Sequence, residues 1–87
     1  QVGFINHLEP TPDDVRARAR TLAAAVVRNA PLSVRAAKQG LRMGTALGSE
    51  QGLVASKDLH KAVYASEDAR EGPRAFAEKR TPVWKGR

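Results

Sequence analysis

Nine carboxylates and two histidines set the chemistry open to this 87-residue chain, and their spacing leaves little of it. Asp13-Asp14 and Glu67-Asp68 are acidic pairs, and each follows a hydroxyl residue of the kind that starts a helix. A carboxylate there is stabilised by exposed backbone N–H groups, so capping accounts for both pairs more simply than acid–base catalysis. Glu71 and Glu78 stand seven apart with no histidine or hydroxyl matched to them. His7 and His60 fall in different elements, and no second pair of ligand types stands at metal spacing. His60 replaces an apolar residue on a helix face and reads as a buried, hydrogen-bonded histidine ahead of a ligand contact. Ser33, Ser49, Ser56 and Ser66 have no adjacent base, so no nucleophilic triad can be assembled. The seven glycines follow neither GxGxxG nor P-loop spacing.

Cations are the stronger signal. A formal charge of +6 fits a polyanionic partner, either nucleic acid or a phosphate-bearing cofactor, although arginines and lysines also simply solvate helix faces. Arg35, Lys38 and Arg42 recur at helical spacing as a narrow basic stripe that could track phosphates. No aromatic residues interleave with it for stacking on bases, which argues against a nucleic-acid module. That module, or a basic helical interaction module, remains the alternative reading.

The elements that must position these groups are mostly helical. Val2 to Leu8 is rich in β-formers and stops at Glu9-Pro10, which predicts one short strand whose partners would have to lie upstream. Thr11-Pro12-Asp13-Asp14 starts a helix that places Val15, Ala19, Leu22, Val26 and Ala30 on one stripe and ends near Asn29. Pro31 opens a second helix running to about Ala46. Leu32, Ala36, Met43 and Leu47 form one apolar face of it, and Val34, Ala37 and Leu41 a second. A helix with two apolar faces is normally sandwiched between neighbours. Gly40 and Gly44 would let another backbone approach closely. Gly48 reads as the end of this helix and Ser49 as the cap of a third, from Glu50 to about Ala65, with Leu53, His60 and Tyr64 on one side. Gly72-Pro73 interrupts the last helical pattern, which predicts a turn over 67–71 and a short helix restarting at Pro73. Phe76 then serves as a core anchor, and Thr81 to Trp84 forms an extended tail.

The totals agree with a small, mainly α domain. Four aromatic residues favour closely packed helices over a deep core. The chain has no cysteine, hence no disulfide and no thiolate metal site, and this is compatible with a reducing cytoplasm. No apolar run approaches the roughly 20 residues needed to cross a bilayer, so no membrane partner is expected. The first residues lack an initiator Met, a basic region and a cleavage motif, and read as a cut inside a longer chain.

Three stretches in order carry a family resemblance. Gly3-Phe4-Ile5-Asn6 followed by Pro10 resembles the segment that ends the crotonase core. Asn29-Ala30-Pro31-Leu32-Ser33-Val34-Arg35-Ala36-Ala37-Lys38 is similar to the family's N-A-P-x-A-[VL]-x-x-[AT]-K. Ser66-Glu67-Asp68-Ala69-Arg70-Glu71-Gly72, with Ala75-Phe76, Glu78-Lys79-Arg80 and Pro82, resembles its S-E-D-x-x-E-G-x-x-A-F-x-E-K-R-x-P ending. Together they cover nearly the whole chain. The resemblance, to enoyl-CoA hydratases and isomerases, implies a fold that is mainly α: a short N-terminal strand followed by three to four helices. Residues 1–10 would end the catalytic core and 11–87 would form the C-terminal helical oligomerisation domain.

The same resemblance implies acyl-CoA as ligand, a coenzyme A thioester as substrate rather than a prosthetic group, and hydration of a 2-enoyl-CoA as the default reaction. It also implies two further partners, the chain's own N-terminal core and a homotrimer or hexamer. The family's oxyanion hole and catalytic glutamates belong to the core, so no catalytic residue is assigned in this chain, and alone it should be inactive. Lys79 falls where the family's E-K-R lysine lies near the coenzyme A adenine and phosphates. His60 takes the place of an aromatic residue near the adenine, often supplied by an adjacent subunit. One face of the second helix would then meet the core and the other a neighbouring helix or subunit, so the isolated segment should self-associate.

Overall fold

A computed structural model describes residues 3–87. Among these it contains five helices and no strand: α1 Pro12–Val27, α2 Pro31–Leu47, α3 Ser49–Ala55, α4 Lys57–Tyr64 and α5 Glu67–Ala77. The strand expected over Val2 to Leu8 does not form over residues 3–8, and Val2 lies outside the described residues. A strand needs a neighbour for its N–H and C=O groups, and this chain offers none. Glu9 is nevertheless tied to α1 through Arg18, at 2.8 Å.

Local chemistry sets the helix ends. Thr11 caps α1 by accepting from the Asp14 N–H (3.2 Å), and Pro12 occupies the first turn. At the other end the Asn29 amide donates to the carbonyls of Ala25 (2.8 Å) and Val26 (3.2 Å), closing α1 just before Pro31 starts α2. Gly48 has φ +84°, a conformation that Cβ-bearing residues rarely adopt, and lets the chain reverse from α2 into α3. Ser49 is the first residue of α3 rather than its cap. The cap position belongs to Gly48, which has no side chain to offer.

α3 folds back on α2 at a close backbone crossing. A Cβ built on Gly52 would lie 2.6 Å from the Cα of Gly44, so the contact expected of Gly44 is met by a second glycine. Gly40 faces Ser56, the only residue between α3 and α4. The single helix expected over 50–65 breaks there. The Ser56 hydroxyl donates to the Leu53 carbonyl (2.9 Å), the acceptor a regular helix gives to Lys57.

α5 is the second departure. No turn forms over 67–71; the helix is continuous from Glu67 to Ala77 with Pro73 inside it. A proline in that position removes one ladder hydrogen bond and crowds the preceding turn. The tail, residues 81–87, compensates by running back antiparallel along α5. It is bonded to Glu71 through Val83, beside the Arg80 that precedes it, and to Asp68 through Lys85 and Gly86. The helix is splinted across its proline.

Little is buried. The apolar core among the described residues is Ala36 and Ala75. The α1 stripe stays open at Val15, Leu22 and Val26, and Leu41 on the second face of α2 is exposed. Phe76 is 87% exposed and anchors nothing among the described residues. The radius of gyration is 16.6 Å, where a compact domain of this length would have about 12 Å. The accessible surface is 7539 Å², against roughly 5000 Å² for a folded monomer of this mass. The chain is a slab of helices, 44 × 38 × 18 Å, whose apolar faces lack partners within it.

Candidate functional site

The polar centre of the structure lies between α5 and the tail. Ser66 caps α5, accepting from the Ala69 N–H (3.1 Å) while donating to the Val63 carbonyl (2.6 Å). Capping fixes the first turn, and Asp68 and Glu71, three residues apart, then share the face that meets the tail. Asp68, 2% exposed, accepts from the backbone N–H groups of Lys85 and Gly86, each at 2.8 Å. Its own N–H donates to the Arg87 carbonyl (3.2 Å). Glu67 pairs with Lys85 (3.0 Å) and Arg87 (3.2 Å), and the Lys85 hydrogen bond above all holds its carboxyl below the usual range.

Glu71 is the most heavily bonded group. It receives Nη1 and Nη2 of Arg80, Nη2 of Arg74 (3.1 Å) and the Val83 N–H (2.9 Å). Arg80 first, then the Val83 amide, lower its pKa to about 2. These bonds stabilise the ionised form, and a carboxylate held that firmly is no proton carrier at neutral pH. Asp68 and Glu71 are thus bonded to the tail as well as set by the start of the helix. The signal was present in sequence as carboxylates at i and i+3 ahead of a basic tail.

Lys79 follows directly. The Arg80 N–H donates to the Ala75 carbonyl (3.0 Å) and the Lys79 N–H to the Phe76 carbonyl (3.2 Å), the two bonds of a Schellman ending. Lys79 occupies the left-handed position of that motif at φ 53°, where glycine is the usual residue. Its side chain is exposed and lines a depression with Val27, Arg28, Thr81, Pro82 and Trp84. Trp84 closes one side of it. Its indole N–H donates to the Arg28 carbonyl (2.9 Å), and its ring lies 3.4 Å from where a Cβ on Gly72 would stand.

His60 sits elsewhere. It is exposed, correcting the expectation of a buried histidine, because its neighbours on that face, Leu53 (66%) and Tyr64 (81%), are themselves uncovered. It lines the groove formed by α2, α3 and α4 with Ala37, Gly40 and Leu41. Lys79 and His60 thus line different depressions of one chain. The basic stripe Arg35, Lys38 and Arg42 is exposed on α2. Among the described residues no cluster of metal-ligating side chains occurs, and no helix is long and apolar enough to cross a membrane.

Comparison with known proteins places this geometry. The family model described as enoyl-CoA hydratase/isomerase matches residues 1–87. The chain belongs to the enoyl-CoA hydratase/isomerase family. It is similar to carnitinyl-CoA dehydratase of Salmonella typhi, with 42% identity over 98% of this chain and 34% of that protein. It is also similar to 2,3-dehydroadipyl-CoA hydratase of Escherichia coli, with 38% identity over 100% of this chain and 34% of that protein. A solved enoyl-CoA hydratase from Mycobacterium tuberculosis superimposes with a TM-score of 0.86 at 31% identity, covering 99% of this chain and 34% of that one. The chain therefore spans about a third of the length of these enoyl-CoA hydratase relatives. Its helical slab is a region of the crotonase fold.

Proposed function

We propose that this chain is the C-terminal helical region of an acyl-CoA-processing enzyme, in which residues 1–10 end the catalytic core and residues 11–87 form the oligomerisation domain. It contributes subunit contacts, closure over the acyl pocket and part of the coenzyme A site. The observation that carries this reading is the excess surface: 7539 Å² in all, against roughly 5000 Å² for a compact monomer of this mass, with a core of two alanines among the described residues. Leu22, Leu41, Leu53 and Tyr64 are exposed on successive helices, apolar surface of the kind that marks interaction faces. A core of the same protein and neighbouring copies cover them.

In the complete enzyme, Lys79 reaches toward the phosphates of a coenzyme A thioester, and His60 stands on a surface that meets the ligand's adenine or a second subunit. Hydration of a 2-enoyl-CoA is the reaction, consistent with the hydratase and dehydratase names of the relatives. The test is hydration of crotonyl-CoA, followed by loss of the enoyl thioester absorbance. The complete enzyme should turn over, and residues 1–87 alone should not. Turnover by the isolated chain, or acyl-CoA binding by the complete enzyme without hydration, would assign the chemistry differently.

A further inference from the structure

The depression at the junction of α1 and the tail holds more positive charge than the Lys79 reading accounts for. Arg28, Lys79 and Arg80 all line it. Arg80 is neutralised, since Glu71 and Glu78 both accept from its guanidinium. Arg28 and Lys79 pair with no carboxylate among the described residues. Two cations lining one concavity raise its positive potential, which favours an anion there.

Both cations are held in place by backbone, not by their own side chains. Arg28 is the C-cap of α1, and its carbonyl is fixed by the indole of Trp84 at 2.9 Å. Lys79 is fixed by the two backbone bonds that end α5. The single hydrogen bond from Trp84 thus brings the end of α1, 56 residues earlier in the chain, beside the end of α5. The guanidinium and ammonium themselves remain free to bind. Arginine offers a planar fork matched to two phosphate oxygens, and lysine adds a compact point charge.

We infer that Arg28 and Lys79 together bind one phosphate group of the coenzyme A nucleotide, Arg28 being a binding residue in its own right. This rests on the reading of Lys79 as a coenzyme A contact and extends it to a residue on a different helix. Glu71 and Trp84 are positioning residues for the pair: Glu71 by neutralising and anchoring Arg80, Trp84 by tying the two helix ends together.

The complete enzyme, with Arg28→Ala and Lys79→Ala made separately, tests it by titration calorimetry with two probes. These are coenzyme A and a pantetheine thioester, which lacks every nucleotide phosphate. Each substitution should weaken coenzyme A binding about tenfold and leave the pantetheine probe unchanged. 3′-Dephospho-coenzyme A then identifies the phosphate: if it erases the effect of Arg28→Ala, the 3′-phosphate is the ligand, and if not, the diphosphate is. Arg28→Ala leaves the Arg28 carbonyl, and so the Trp84 bond, in place. A loss at Lys79 without one at Arg28 overturns the inference and leaves the Lys79 reading standing. No loss at either residue overturns both. A loss at Arg28 alone, or an equal loss on both probes, also overturns the shared site.

Discussion

Glu71 grips Arg80 across nine residues, with the Val83 N–H 2.9 Å from the same carboxylate, and so folds the tail back onto the helix that precedes it. Arg80 follows the left-handed Lys79, so the pair sets the direction in which the chain leaves α5. Glu71→Gln keeps the shape and one acceptor but removes the charge that gathers Arg74, Arg80 and the backbone. The expected outcome is release of the tail with the helix retained. Tryptic cleavage at Lys85 should accelerate about tenfold, while the far-ultraviolet helix signal changes little. Equal cleavage rates would show that Asp68 and Glu67 hold the tail without Glu71.

The same contact predicts an acid transition. The folded state holds the Glu71 pKa at about 2, below the ordinary 4.5, so the carboxylate is easier to protonate when the tail is free. Its contribution is complete above pH 4.5 and fades as pH falls from there toward 2. Glu67, also lowered, weakens its pairs with Lys85 and Arg87 in the same direction. Trp84 is the single tryptophan and lies in the tail, so its fluorescence reports the event. Emission should shift to longer wavelength between pH 4.5 and 2. In the Glu71→Gln protein that shift should be present already at pH 7. A transition centred above pH 5 would implicate a different group.

Sequence made the helix starts legible because they depend on adjacent residues. Thr11 with Pro12, and Asn29 with Pro31, each act within four positions, and the structure places α1 and α2 where these signals lie; at Ser66 the cap signal is also local, but the turn expected over 67–71 does not form. What failed depended on distant partners. The strand over Val2 to Leu8 needs neighbours this chain lacks. The helix interruption at Gly72-Pro73 is bridged by a tail 10 to 15 residues later. Apolar periodicity reports that a face is covered, not by which chain, so the pattern makes Phe76 and His60 look buried although both are exposed. Of the candidate site, Lys79 was legible through its motif. Arg28 was not, because the bond that brings it alongside comes from Trp84 across 56 residues.

The crossing of α2 and α3 makes an asymmetric prediction. On Gly52 a Cβ would press to within 2.6 Å of the Gly44 Cα, a backbone atom that cannot turn aside. A Cβ on Gly44 meets nothing within 4 Å. Gly52→Ala should therefore destabilise by about 1–3 kcal/mol, since overpacking outweighs the gain in helix propensity. Gly44→Ala should stabilise by up to about 1 kcal/mol through that propensity alone. Urea midpoints of the two variants, measured by circular dichroism in the same background, check the pair. Similar shifts of the same sign would mean the helices separate at little cost.

Lys79 is the place where stability and binding should trade against each other. Its backbone stands at φ 53°, which costs a Cβ-bearing residue about 1 kcal/mol relative to glycine. Nothing in the Schellman ending requires a side chain there, because both of its bonds are made by backbone atoms. A lysine in a position that favours glycine on conformational grounds is explained by what its ammonium does. Lys79→Gly should raise the urea midpoint of the complete enzyme and weaken coenzyme A binding about tenfold at the same time. Lys79→Asn, which tolerates the left-handed region, should lose the same affinity while gaining less stability. Raising the salt concentration should shrink the affinity gap between wild type and both variants, because it screens an exposed charge. If the glycine variant gains stability with its coenzyme A affinity intact, the ammonium points at solvent and the phosphate contact has to be sought elsewhere.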